Sequence, residues 1–407
     1  MIDETIEYYI KKPNKKFPWL GYAYSTKAHF LDKEGNIKLA LEYHTKSCEE
    51  HKKDFKKVKI NQKKRELIQC YYFLSGSLKD NNLLKKSLNV STAAINIFNE
   101  FKNNNYEIDE FAGSKEFAYQ LVHRARVYKD LFRYEESIKD YEQYIKIIPT
   151  KDINLLASDD YISALSEIEF IYSTRGDTKN EYKYLKLRYE IIQEHSKSNL
   201  NLQARVNRDI GSHYQSANQY DKAIYHFDLT LNFVKKSLKI NNSYANKKKL
   251  FLDKELALLG KLNAEQSIKQ DLDQYKKVYS IMLSMNDELK LLDKSTAAYT
   301  ILDVYYGLIN DYEQRKINLN NAKELVEGQI KEAKKIDSWT LKFFINDKRN
   351  LMFDEAWNDI KLENFNNSLK IANELKSYET TDTGISEVKK KVDLQNLFGQ
   401  IYSGQKK

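Results

Sequence analysis

Proline and glycine are scarce in this chain, 3 and 12 among 407 residues. A many-turned β fold needs both at its corners, so their scarcity excludes that class and favours long helices with short connections. Cysteine is rarer still. Cys48 and Cys70 stand alone, without CxxC or Cys/His metal spacing, and two thiols cannot form a disulfide framework. They are expected to be buried, inert thiols. No apolar run approaches the roughly 18 residues that a bilayer span requires, and the opening MIDETIEYYIKK lacks the basic-then-apolar order of a secretory signal. The expectation is no membrane association and, by default, a cytoplasmic location.

What is present is charge and aromatic bulk. Hydrophobic residues make up 41% and charged residues 31%, enough for a substantial interior beneath a strongly hydrated exterior; the mean hydropathy is −0.70. The net charge of +9 comes from 67 basic residues interleaved with 58 acidic ones, a pattern of solvated surface rather than a dedicated polyanion site. The densest basic stretch, KKDFKKVKINQKKR at 52–65, has Phe55 as its one aromatic residue, and no helix-turn-helix signature accompanies it. Stacking residues are what single-stranded recognition needs, so a solvated linker or helix face is expected there. A nucleic-acid-associated basic repeat protein is the reading this disfavours.

An internal repeat organises the chain. Residues 118–149, AYQLVHRARVYKDLFRYEESIKDYEQYIKIIP, carry Ala125 and Tyr128 on a first helix and Ser137 and Tyr141 on a second, with Pro149 closing the unit. NRDIGSHYQSANQYDKAIYHFDLTL repeats the offsets with Gly211, Tyr214, Ala223 and Phe227, and AYSTKAHFLDKEGNIKLALEYHTKS with Ala28, Leu31, Ala40 and His44. Two antiparallel helices approach closely only where a side chain is small, and a large neighbour fills the adjacent groove. At these residues the chain resembles the tetratricopeptide repeat family. A fourth unit keeps Tyr172 and the Gly176-Asp177 turn but has Glu169 and Glu181 where small residues are expected, so it is degenerate or splayed. The resemblance implies an all-α fold, a right-handed α-solenoid of helical hairpins.

The best-matched units lie near 21–54, 118–151, 162–195 and 204–237, about 42 to 44 residues apart where they are consecutive, against the usual 34 or so. Such elongated units resemble those of bacterial signalling proteins. Residues 62–104 read as a further helix pair with Ala93 and Ala94 against a partner helix. The array is expected over 1–242, with degenerate helical repeats over 243–407, where Ala356 and Ala372 are the close-contact candidates. Residues 2–11 read as a second helix without its first, and LQNLFGQIYSG as a first helix without its second: end caps, or a segment of a longer protein.

Catalytic signatures are absent. There is no nucleophile elbow, glycine-rich phosphate loop or zinc-ligand spacing, and the seven histidines are scattered without an HxxxH or HExxH pair. His213 and His226 can meet across one hairpin, where packing is the expected role. No enzyme activity, cofactor or metal is expected. Tetratricopeptide arrays receive extended peptides on the surface lined by first helices. Family geometry places Tyr119, Val122, Arg126 and Lys129 on that surface in one unit and Arg205, Arg208, Ser212 and Gln215 in another. Ser163, Ser166, Phe170 and Ser173 fall between. The resemblance implies a partner that is a protein or peptide, with the basic groups set to cradle a carboxylate or acidic segment. The leading reading is a non-catalytic scaffold or sensor. More specific alternatives are a peptide-pheromone-responsive bacterial regulator of the Rap type, or the sensor segment of a larger signalling protein. Neither the partner's identity nor an oligomeric state can be read from the sequence.

Overall fold

The computed structural model describes residues 2–11, 19–57, 61–103, 110–147, 159–335, 341–377 and 385–405. They form two compact units, Met1–Lys197 and Ser198–Lys407. The expected division at residue 242 falls inside the second unit, in the short connection between two of its helices. Among the described residues the secondary structure is helical throughout, and the fold is the all-α, tetratricopeptide-like hairpin array that the repeats imply.

In the first unit, α1 (Ile2–Lys11) precedes four hairpins. They pair α2 (Trp19–Lys33) with α3 (Ile37–Lys57), α4 (Asn61–Asp80) with α5 (Leu84–Asn103), α6 (Glu110–Asp130) with α7 (Tyr134–Ile147), and α8 (Asp159–Thr174) with α9 (Thr178–His195). The second unit begins with α10 (Leu200–Ser216) and α11 (Tyr220–Ile240), followed by α12 (Tyr244–Ile268) and α13 (Asp273–Asp287). It continues through α14 (Ala297–Leu308), α15 (Tyr312–Lys335), α16 (Leu341–Lys361), α17 (Phe365–Ser377) and α18 (Ile385–Gln405).

Seven hairpins turn by one device: the first helix is followed by a residue in the left-handed region, Gly35, Asn82, Phe132, Gly176, Asn218, Asn310 or Glu363, with φ between 56° and 79°. The next amide then reaches back to a carbonyl five residues earlier, as in Asn36 to Leu31 (2.9 Å), Arg133 to Tyr128 (2.8 Å) and Gln219 to Tyr214 (2.8 Å). This closes the helix end and starts the second helix within three residues. Glycine or asparagine reaches this conformation cheaply. Phe132 and Glu363 do not, so at those two turns the packing of the hairpin holds the strain. The connection from α12 to α13 differs, with Lys269 extended at φ −144°.

Small residues mark the crossings. Ala28 with Ala40, Ser75 with Ser87, Ala125 with Ser137, Gly211 with Ala223 and Ala356 with Ser368 are all buried. Where the second member is serine its hydroxyl donates to a first-helix carbonyl twelve residues back: Ser87 to Ser75 (2.7 Å), Ser137 to Ala125 (2.7 Å) and Ser368 to Ala356 (2.9 Å). Ser75 and Ser87 thus make the second hairpin's crossing. Of the alanines expected there, Ala94 is fully buried and Ala93 only partly.

Above two of the crossings a large aromatic side chain fills the groove. Tyr141 and Phe227 are 0% exposed. Around Tyr141 the first unit's core gathers Leu121, Ala125, Leu165 and Ile168, each large aliphatic group contributing roughly 1.5 to 3 kcal/mol by leaving water. Side-chain amides tie neighbouring hairpins together: Asn81 Nδ2 donates to Ile37 O (2.9 Å), Gln120 Nε2 to Ile68 O (2.8 Å) and Asn358 Nδ2 to Tyr312 O (3.0 Å).

One expectation is corrected. Cys48 and Cys70 are not free thiols but are joined in a disulfide, with Cα atoms 5.5 Å apart. Sequence spacing says nothing about pairing between the facing sides of α3 and α4, and there the two cysteines meet inside a shared apolar cluster with Leu67 and Leu74. The basic run 52–65 covers the end of α3 and the start of α4, with residues 58–60 outside the described set.

Candidate functional site

The expected site residues of the first unit lie on α6 and α8. Tyr119 is half-buried, its ring 6.1 Å from that of Tyr72 on α4. Val122 is 3% exposed and packs in the core with Leu121 and Ala125, so its contribution is to the scaffold. Lys129 Nζ lies 2.5 Å from Glu167 and above the Phe170 ring, 5.4 Å from its centroid, so its charge is already balanced. Phe170 is 55% exposed. Ser163 and Ser166 are half-buried and Ser173 is exposed.

Arg126 differs from its neighbours. It is partly exposed, and among the described residues no carboxylate lies within ion-pair distance of it. Its charge acts on Tyr72, His123 and Tyr141. Burial pushes the Tyr72 and Tyr141 phenols up and drives His123 down to about 4, where the nearby cations add to the effect. All three rings are therefore neutral at pH 7, and the guanidinium lies among aromatic groups that also feel the charges of Asp130, Asp160 and Glu167, none of which is paired with it. Such a fork is available for a carboxylate supplied from outside.

The second unit's expected residues lie on α10. Arg208 is committed within the fold: its Nε is 2.9 Å from Asp209 Oδ1, and a second guanidinium nitrogen pairs with Asp253 of α12. Burial raises the Asp253 carboxyl and the charges of Arg208 and Arg205 oppose that. Arg205 is partly exposed, and among the described residues it has no carboxylate within ion-pair range. Ser212 Oγ donates to the Arg208 carbonyl (3.1 Å), and Gln215 is half-buried. The structure thus brings Lys129 together with Phe170, and Tyr119 with Tyr72. The first and second sets belong to different compact units.

Three features escaped the sequence reading. Glu169, at a crossing position, receives Arg188 of α9, whose side chain is 1% exposed at 2.9 Å, so a buried ion pair replaces the small residue. The signal was an arginine on the second helix of the unit with misplaced glutamates. Asp303 and Arg315, at the crossing offset in α14 and α15, form a bidentate pair at 2.7 and 2.8 Å. Finally His29, Asp32 and His44 converge across the first hairpin, with one ligand atom from each within 4.8 Å of the others. His213 and His226, the pair singled out from the sequence, behave otherwise: His226 Nδ1 lies 2.9 Å from Asn207 Oδ1 and its ring stacks on Tyr214.

The repeat positions, the turn device and the hairpin packing define a solenoid of tetratricopeptide-like hairpins. No family model matches the chain, and no curated protein does. Solved structures do. The apo form of the quorum sensor NprR from B. thuringiensis aligns over 92% of this chain and 92% of its own, at 13% identity and a TM-score of 0.54. A tetratricopeptide repeat protein from Parabacteroides merdae covers 82% of this chain and 98% of its own at 11% identity, with a TM-score of 0.48. The likeness is one of fold. No helix among the described residues is long and apolar enough to cross a membrane.

Proposed function

We propose that this chain is a non-catalytic binding protein whose first-helix face in the Met1–Lys197 unit receives a protein or peptide segment bearing a carboxylate. The observation that carries the reading is Arg126. It sits partly exposed on α6 among neutral Tyr72, His123 and Tyr141, without a carboxylate in ion-pair range among the described residues. On the same face Tyr119 and exposed Phe170 would supply apolar contact and Ser166 a hydroxyl. In the second unit the corresponding part falls to Arg205 on α10, the helix that also carries Ser212 and Gln215, while Arg208 is held by Asp209 and Asp253.

The test is a peptide library presented with free and with amidated C-termini, probed with the purified full chain at low and at physiological salt. Preference for free carboxylates or acidic side chains, weakening as salt rises, supports the reading. Binding indifferent to both contradicts it.

A narrower reading is a regulator that responds to a signal peptide. It draws on the fold shared with the quorum sensor NprR and would apply if a short secreted peptide is encoded beside this gene. A continuous downstream reading frame with an output domain would favour the sensor segment of a larger signalling protein instead.

A further inference from the structure

In the repeat, the second-helix position four residues after the crossing is filled by Tyr141 in one hairpin and Phe227 in another, both 0% exposed. In the first hairpin that position holds His44, 2% exposed, and it does not face an apolar groove. His44 Nε2 lies 2.9 Å from Asp32 Oδ2 on α2, and the His29 ring meets that of His44 edge-on at 5.4 Å. Asp32 follows His29 by three residues, so both project from one face of α2, while the Gly35 turn folds α3 back to present His44 to them. Three groups of metal-ligand type thus converge where two other hairpins place an aromatic ring, Tyr141 and Phe227.

We propose that His29, Asp32 and His44 form a binding site for a divalent transition-metal ion of the zinc class, which pins α2 to α3. Two imidazoles and one carboxylate are the donor set that Zn²⁺, Co²⁺ or Ni²⁺ accepts, whereas Mg²⁺ and Ca²⁺ require oxygen. Zinc bonds of about 2.0 to 2.2 Å place tetrahedral ligand atoms roughly 3.3 Å apart. The three ligand atoms lie within 4.8 Å of one another and would draw together on a metal ion, His29 and Asp32 being the two less buried members.

The surroundings favour a fixed site. Phe73 of α4 packs edge-on against His29 at 4.4 Å and lies parallel to His44 at 6.0 Å, walling the imidazoles on one side. The Asp32 side chain is 36% exposed, which leaves a solvent-facing side where water completes the coordination. Asp80, at the end of α4, is a second carboxylate close enough to Asp32 for its charge to be felt, with Lys79 beside it. The site lies in a different hairpin from Arg126 and does not depend on the peptide reading.

The experiment titrates the chelator-treated full chain with Co²⁺, read by its visible absorption, and then displaces it with Zn²⁺. The expected result is one equivalent bound, a d–d spectrum of low-coordinate Co²⁺ lost on adding Zn²⁺, and a rise in melting temperature with metal. His29→Ala and Asp32→Ala, which alter partly exposed groups, should each weaken uptake by about tenfold or more with their helical content unchanged. His213→Ala should bind as the wild type does. X-ray absorption of the wild-type zinc form supplies a check independent of variant folding, with two imidazoles and oxygen in the first shell. Absence of a stoichiometric equivalent, uptake unchanged in both ligand variants, loss in His213→Ala, or a first shell with fewer than two imidazoles would overturn the proposal.

Discussion

A Cβ atom placed on Gly211 would stand 2.8 Å from the Phe227 ring, and one on Gly260 would come closer still, so this ring is held between two glycines on α10 and α12. Helix interiors ordinarily lose roughly 0.5 to 1 kcal/mol to glycine, which makes both positions a matter of space rather than of propensity. Gly211→Leu should therefore destabilise the chain by roughly 1 to 3 kcal/mol, and Gly260→Ala should also destabilise it, through overpacking. Gly399 in α18 has nothing within 4 Å of its would-be Cβ. There the alanine variant should gain stability by about 0.5 to 1 kcal/mol. Denaturant midpoints of the three variants measure this; equal shifts would remove Phe227 from the argument.

The degenerate fourth hairpin makes a second prediction. With the Arg188 side chain 1% exposed against Glu169, Arg188→Ala strands a largely buried carboxylate and should cost about 3 kcal/mol or more. Glu169→Leu/Arg188→Met removes both charges and should recover most of that loss. A double variant no better than the single one would show that the pair does not act as a unit.

Stability should depend on pH through His123. Burial lowers its pKa from 6.5 to about 4, so the unfolded chain binds the proton first. The contribution is complete above about pH 6.5 and is lost as the pH falls toward 4, by roughly 1 to 3 kcal/mol. His123→Gln should flatten that decline. Asp354 in the second unit works in the opposite sense: burial and Asp303 raise it from 3.8 to about 6, so its penalty develops as the pH rises through that window. Asp354→Asn should melt higher than wild type at pH 7. Urea titrations at several pH values read both effects, and unchanged profiles would contradict these assignments.

Much of the fold was legible because the repeat is written in small residues at a fixed offset. Ala28 and Ala40, Ala125 and Ser137, and Gly211 and Ala223 could be found by eye, and each pair sits buried at a crossing. Ser75 and Ser87 obey the same offset, but serine is as common on a surface as at a crossing, so composition alone passed them over. Phe132 and Glu363 hid two turns because neither residue announces a left-handed conformation. The disulfide was hidden for a different reason, since Cys48 and Cys70 converge through the facing of two helices and not through any local motif.

The site proposed here was chosen by position along first helices, and the structure adds the state of each cation. First-helix geometry picked out Arg126, Lys129, Arg205 and Arg208 as equivalent cations. In the structure Lys129 is balanced by Glu167 and Arg208 by its neighbour Asp209 and by Asp253, and Glu167 and Asp253 lie on other helices that a pattern along one helix does not reach. His29, Asp32 and His44 were missed because two of the three lie on one helix and the third across a turn.

The most direct measurement is the affinity of one carboxylate-bearing peptide from the library for the wild type, Arg126→Ala and Lys129→Ala, by fluorescence anisotropy with folding checked by circular dichroism. The account predicts that Arg126→Ala weakens binding by roughly 2 kcal/mol, about thirtyfold, because its guanidinium is available to pair with the ligand. Lys129→Ala, whose charge Glu167 already balances, should change it by less than about threefold. A folded Arg126→Ala that binds as tightly as the wild type would contradict the account.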